Sequence, residues 1–321
     1  MVHARIIRLF LIGAILTLQP SCSTQKQEKE ETVEEISEKS ASSPSLLSLE
    51  EVENALEDSS WAVIDLRRPH EYAEGHLPGA LQVWRDDIQR QDLPYSGMCA
   101  SREQIEQLFS RLGVSTGQKI LIYDAKGLVD AARLWWVLKY YGYDDVYMFD
   151  GGLASWQRSN RALSTETPTR TRSEFVLDGP LRADWYANRS DVESALRDSS
   201  FVLLDTRSQD EYEGRNQKSG ASRAGHIPGA LWIDYCRTFD FRLTQEFYTH
   251  REIEALYQSQ GLDPDTPIIV YCHSGVRSAH TTFVLRELLG YRNVRNYDGS
   301  WTEWSFFPEL PIESFADVET S

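Results

Sequence analysis

Runs of lysine and arginine are missing from this chain, cysteine is scarce, and no two cysteines stand close together. Lys and Arg number 33 against 49 Asp and Glu, a formal charge of −16, which argues against nucleic acid or an anionic membrane surface as a partner. Cys22, Cys99, Cys236 and Cys272 form no C-x-x-C pair, so neither a zinc site nor a thioredoxin-like pair has support and no metal is expected. Nothing in the spacing predicts a Cys99–Cys236 disulfide. Against these absences stand 321 residues, 41% of them hydrophobic, and nine Trp, enough for two folded domains with real cores.

The one apolar run at the amino terminus, LFLIGAILTL over residues 9–18, is shorter than a membrane span and follows Arg5 and Arg8, the pattern of an export signal. Residues 21 and 22, Ser then Cys, precede a polar stretch rich in Glu, Lys and Ser. The segment resembles a bacterial lipoprotein signal, although Gln19 stands where such signals usually carry Leu. The resemblance implies a signal over residues 1–22, lipidation of Cys22 and a charged linker over 23–45. Simple cleavage and retention as an uncleaved anchor are the alternatives. Residues 26–39 could form a charged helix, but only Val33 and Ile36 could face a core, so a solvated linker is expected.

Internal similarity organises the rest. VENALEDSSWAVIDLR, ending at Arg67, matches VESALRDSSFVLLDTR, ending at Arg207, and GHLPGAL from Gly75 matches GHIPGAL from Gly225. Farther on, Tyr123-Asp124-Ala125-Lys126-Gly127 matches Tyr271-Cys272-His273-Ser274-Gly275, and DGGLASW from Asp150 matches DGSWTEW from Asp298. The second copy has an insertion between Asp205 and His226. A repeat of this length marks two copies of one domain rather than a solenoid. Apolar strand patterns alternate with helical ones in each copy, which predicts an α/β fold: a parallel sheet covered by helices on both faces. A Thr- and Pro-containing linker at 164–180 separates domains at 46–163 and 181–312, followed by a tail at 313–321.

Ligands of such sheets lie at the carboxyl ends of strands. Residues 267–271, PIIVY, read as a buried strand, and apolar spacing from Ala279 to Leu289 reads as a helix ending near Gly290. Cys272 therefore stands where a strand ends, followed by a six-residue loop and a helix start whose N–H dipoles favour a thiolate. Arg277 adds a permanent cation. The bland alternative is a small buried core residue.

Taken together, Asp205-Thr206-Arg207 with Glu211-Tyr212, the G-H-I-P-G-A motif around His226, the Cys272-to-Arg277 loop and the D-G-S-W-T-E-W motif resemble the motifs of two-domain rhodaneses, tandem sulfurtransferases, over about residues 47–310. The resemblance implies that Cys272 takes a sulfane sulfur from a small donor, holds it as a persulfide and passes it to a thiol or a cyanide-like acceptor, with no cofactor and as a monomer. The loop members His273, Ser274, Gly275, Val276 and Arg277 would cradle the sulfur. The first copy, with Asp124 and Val129 in place of Cys272 and Arg277, would be silent. Thiosulfate users in the family commonly read C-R-K-G-V-T and 3-mercaptopyruvate users C-G-S-G-V-T; this loop, C-H-S-G-V-R, is neither. Such enzymes also carry Arg where Glu211 stands. A carboxylate there repels an anionic donor unless a cation compensates, with Arg215, Lys218 and Arg223 as candidates, and thiosulfate is the first donor expected, 3-mercaptopyruvate the second.

Other residues read as structural. Asp205, Arg207 and His226 recur as Asp65, Arg67 and His76 in the copy without a cysteine, and Trp301 and Trp304 fit a core or cleft wall. His273 either tunes Cys272 or projects into solvent. A cysteine phosphatase is disfavoured because its loop has one more residue between Cys and Arg; a persulfide carrier or sulfide sensor is the non-enzymatic alternative.

Overall fold

The computed structural model describes residues 43–314. The signal segment, Cys22 and the charged stretch through residue 42 lie outside the described residues, as does the tail beyond 314. The first copy comprises β1 (Leu46–Leu47), α1 (Leu49–Glu57), β2 (Trp61–Asp65), α2 (Pro69–Glu74), β3 (Leu81–Gln82), α3 (Arg102–Arg111), β4 (Lys119–Tyr123), α4 (Val129–Tyr140), β5 (Val146–Phe149) and α5 (Gly152–Arg158). The second comprises β6 (Tyr186–Ala187), α6 (Arg189–Ala195), β7 (Val202–Asp205), α7 (Gln209–Tyr212), β8 (Leu231–Trp232), α8 (His250–Gln258), β9 (Ile268–Tyr271), α9 (Val276–Phe283), β10 (Val294–Tyr297) and α10 (Ser300–Phe306).

Each set of strands forms one parallel sheet, in the orders β1-β5-β4-β2-β3 and β6-β10-β9-β7-β8. The order is the same in both, as a duplication requires. Local chemistry repeats too: Ser48 with Glu51 and Asn188 with Asp191 form reciprocal caps at the starts of α1 and α6, while Ser101 with Gln104 and Thr249 with Glu252 do so for α3 and α8. Each box satisfies amides that a helix start leaves open.

Burial distributes into three clusters. One face of each sheet has its own core, around Val52, Leu121 and Trp156 in the first copy and Ile269, Trp301 and Trp304 in the second. The other faces share a single core that runs from Ile64 and Ile122 through Leu134 and Trp135 to Ala279, Phe283 and Val270. Helices α4 and α9 meet in it, with the Trp135 ring edge-on to Phe283 at 4.9 Å. The two copies are therefore joined by buried apolar surface rather than by the 164–180 segment alone.

One element differs from its sequence pattern. The helix after β9 begins at Val276, so Arg277 lies in its first turn and the loop closes at Gly275, whose φ of 75° gives the left-handed bend that glycine accepts readily. The helical pattern onward to Leu288 is completed by a π turn, Val284–Leu288. Cys99, Cys236 and Cys272 are all free thiols.

The shared core predicts that Trp135→Ala costs roughly 3–5 kcal/mol and that both copies of the wild type unfold in one transition. Urea denaturation followed by fluorescence and by far-UV circular dichroism checks this; two separated wild-type transitions would contradict it.

Candidate active site

Strand β9 delivers Cys272 to the carboxyl edge of the second sheet, with no exposed surface. Its backbone is pinned from the far side of the loop. The N–H groups of Cys272 and Gly275 both donate to Ser300 Oγ, at 3.2 and 3.0 Å, and that hydroxyl donates to the Tyr297 carbonyl at 2.8 Å. The amides of Trp301 and Thr302, opening α10, bond the carbonyls of Cys272 and His273 at 3.0 and 2.9 Å. With its carbonyls directed outward to these partners, the loop is free to turn amide groups toward the sulfur. Ser278 adds a hydroxyl 3.5 Å from Cys272 Sγ.

Burial by itself pushes the Cys272 thiol up, but the Arg277 charge, the Ser278 hydroxyl and the amides of Ser278 and Ser274 outweigh it and hold the thiol below its ordinary value. Arg277 is in turn fixed by Glu211, which accepts two bonds from the guanidinium at 2.7 and 2.8 Å. Burial raises the Glu211 carboxyl; the Arg277 fork overrides this and brings it down to about 2. Glu211 thus binds a cation of the loop instead of standing unopposed before a donor. Of the three candidate compensating cations, none is the one that pairs with it. Arg215 pairs with Asp210 and Glu213, and Arg223 clamps the carbonyls of Trp304, Ser305, Phe307 and Leu310. Lys218 stands on the insertion with much of its side chain open to solvent, its ammonium lowered by partial desolvation and by Arg277, with Glu211 and Cys272 acting in the opposite direction.

His273 does not project into solvent. It is buried beneath the insertion, with Nε2 3.0 Å from the Ser219 carbonyl, an arrangement that places the ring proton on Nε2. Burial and Lys218 push it down to about 4, so the ring is neutral at physiological pH. Its function in the structure is to tie the insertion to the loop. Asp205 and Arg207 form a buried fork that also reaches the Gly225 carbonyl, and Asp65 and Arg67 form the same fork to Gly75. His226 bonds the Tyr212 carbonyl at 2.7 Å and stacks on that ring, as His76 does on Tyr72. Trp301 and Trp304 are core residues.

The first copy shows what its loop is built to hold. The Asp124 carboxylate lies in the position of the sulfur and accepts four backbone N–H bonds, from Lys126, Leu128, Asp130 and Ala131, at 2.8, 2.9, 2.8 and 3.1 Å. Burial, then Asp130, pushes this carboxyl up to about 6 against those bonds. A loop of this shape is an anion cradle, and in the first copy its anion is a side chain of the chain itself.

Several site residues carried no functional signal in sequence. Ser300 and Ser278 sit inside segments already singled out, yet only the fold shows that one pins the loop and the other faces the sulfur. Arg133 of α4, from the other copy, bonds the Gly275 carbonyl at 3.3 Å; nothing in the spacing announces it.

A family model described as the Rhodanese-like domain matches residues 48–159 and again 188–306, and the chain belongs to that family as a tandem member. A protein of Saccharopolyspora erythraea provisionally named a thiosulfate sulfurtransferase is 36% identical over 253 residues, 76% of this chain and 86% of its own length. The Thermus thermophilus sulfur carrier protein TtuD is 36% identical over 279 residues, covering 83% of this chain and 95% of that one. Among solved structures, the 3-mercaptopyruvate sulfurtransferase SseA of Escherichia coli superposes with a TM-score of 0.71 at 28% identity, over 80% of this chain and 98% of that one.

Charge removal from the pair should move the thiol in opposite directions. Arg277→Met should raise the pH midpoint of Cys272 alkylation by roughly one to three units; Glu211→Gln, which leaves the guanidinium unneutralised, should lower it. Iodoacetamide rates against pH check both, and equal midpoints would refute the electrostatic account. The pair should also appear in acid stability. A carboxyl held down to about 2 from 4.5 adds stability that is complete above its unfolded value and lost as pH falls through that window, so Glu211→Gln should flatten this part of an acid denaturation curve.

Proposed function

We propose that the protein is a sulfurtransferase that carries a sulfane sulfur on Cys272, with thiosulfate as the first donor. The carrying observation is a fully buried cysteine whose thiol is nonetheless lowered, at the mouth of a loop whose counterpart binds a carboxylate through four amides. The Cys272 thiolate attacks the outer sulfur of the donor; the sulfur–sulfur bond breaks and sulfite leaves with its electron pair. A thiophilic acceptor then attacks the terminal sulfur of the persulfide, and the thiolate is returned. The amides of the loop stabilise negative charge at the sulfur through both steps, as an oxyanion hole does. Lys218, exposed on the insertion and in the field of Cys272, supplies the attraction for an anionic donor that Glu211 does not. The same arrangement suits the carboxylate of 3-mercaptopyruvate, the substrate named for SseA.

A carrier role has its own support: complete burial of Cys272 restricts access, and TtuD is named a sulfur carrier. Steady-state turnover with small donors separates an enzyme from a carrier. We further propose, from residues 1–45, that the chain is exported and anchored by a lipid on Cys22, acting as a monomer. A thiol in an oxidising compartment has to be kept reduced or loaded. Metabolic labelling with a palmitate analogue should mark the wild type and not Cys22→Ser; equal labelling would reject lipidation at that residue.

Intact-protein mass spectrometry tests the reaction. The wild type should gain the mass of one sulfur atom with thiosulfate and lose it with cyanide, and Cys272→Ala should do neither. A wild type that stays bare rules out thiosulfate as donor.

A further inference from the structure

The catalytic loop is completed from outside its own domain. Arg133 of α4 is buried, and its guanidinium bonds three segments at once: the Gly275 carbonyl at 3.3 Å, the Gly97 carbonyl at 2.7 Å and Asp298 Oδ1 at 2.5 Å. Asn296 Nδ2 joins it on the Gly275 carbonyl, also at 3.3 Å. Gly275 is the left-handed residue that closes the loop, and the peptide between it and Val276 opens α9. A carbonyl held by Arg133 and Asn296 turns the opposite edge of that trans peptide, the Val276 N–H, the other way, and in the first copy the corresponding amide, the Leu128 N–H, donates to Asp124. Gly97 belongs to a strap, residues 95–99, that lies across the loop: Tyr95 donates to Glu303, Thr302 Oγ1 donates to the Ser96 carbonyl, and the Cys99 N–H donates to Asp298 Oδ2.

The duplication supplies a control within the same molecule. A mirrored strap from the second copy crosses the silent loop, with the Phe247 N–H on Asp150 as the Cys99 N–H is on Asp298. The counterpart of Arg133 on α9 is Thr281, which carries no charge. Against Gly127, the counterpart of Gly275, lies the Phe239 ring. Nearby His280 is fully buried and pushed down by that burial to about 3, hence neutral. A guanidinium from the other copy is therefore supplied only to the loop that must receive an anionic sulfur; at the loop that already holds Asp124 the nearby guanidinium, Arg85, comes from the same copy and pairs with Asp130.

We propose that Arg133 is a positioning residue for sulfur transfer: anchored by Asp298, it fixes the Gly275 peptide from across the domain boundary and so presets the cradle that receives the Cys272 thiolate and its persulfide. The silent domain is then a working part of the site. Its contribution acts alongside the charges that face Cys272 from the other elements, Arg277 on α9, Glu211 on α7 and Lys218 on the insertion, with His273 neutral.

The test compares variants of the full chain. Arg133→Met combined with Asp298→Asn removes both members of the buried pair, so no charge is left uncompensated. Arg133→Lys keeps a cation without the fork, and Trp135→Phe perturbs the same interface without reaching the loop. For each variant with a native circular dichroism spectrum, iodoacetamide alkylation of Cys272 is measured against pH, and sulfur loading from thiosulfate by mass. The double variant should alkylate roughly tenfold more slowly at neutral pH through a raised midpoint of about one unit, with Arg133→Lys between it and the wild type and Trp135→Phe unchanged. A folded double variant with a wild-type profile would overturn the proposal. So would a shift of equal size in Trp135→Phe, which would assign the effect to interface packing in general. The alkylation readout does not depend on the donor, so failure of thiosulfate to load the wild type leaves this outcome readable.

Discussion

A sulfur anion buried away from water has to be surrounded by donors and positive charge, and the second copy is arranged around that requirement. Desolvation opposes ionisation of Cys272, and the structure offsets it with amides from the loop, a hydroxyl from Ser278 and the charge of Arg277. Each of these is itself constrained. Arg277 is clasped by Glu211, the loop backbone is pinned by Ser300 and by the first amides of α10, and the Gly275 carbonyl is held by Arg133 and Asn296. A site of this kind uses fixed dipoles, which need little rearrangement when charge moves from the thiolate to the outer sulfur of a persulfide.

The pairing of Glu211 with Arg277 changes how donor recognition is understood. Considered alone, a carboxylate at this position opposes any anionic donor. Forked onto Arg277, it is closer to a neutral unit, and it fixes the guanidinium whose charge acts on Cys272. The insertion, which the first copy lacks, is secured to the loop by His273 through the Ser219 carbonyl, and under the proposed function it is where an anionic donor meets a cation, Lys218. The insertion is thus the segment where the two copies differ most in both sequence and use.

Much of the fold could be read from the chain because the relevant signals are local. The strand before Cys272 and the repeated D-x-R and G-H-x-P-G motifs each reflect interactions within a few residues or within one sheet, and the duplication lets the first copy, which has no cysteine in its loop, separate structural residues from chemical ones. Apolar periodicity puts the start of α9 beyond Arg277, whereas left-handed Gly275 brings the helix up to Val276, a backbone choice that periodicity does not report. Arg133 was invisible for a different reason. Its partners, Gly275, Gly97 and Asp298, are distant in sequence and meet only when α4 packs on α9. The buried position of His273 likewise depends on an insertion whose path no periodicity describes.

The two straps, 95–99 and 243–247, share no residue at corresponding positions, and one of these differences bears directly on the loops. Gly97 lies over the catalytic loop, while Gln245, in the left-handed region at φ 59°, lies over the silent one and accepts the Gly127 N–H at 3.3 Å. Returning Asp124 to cysteine would therefore not return the first loop to service, because Gln245 and the Phe239 ring of the other copy already close over it. Each copy thus covers the other's loop, and the two covers are not interchangeable: a change in one loop alone leaves the other copy's side chains where they were.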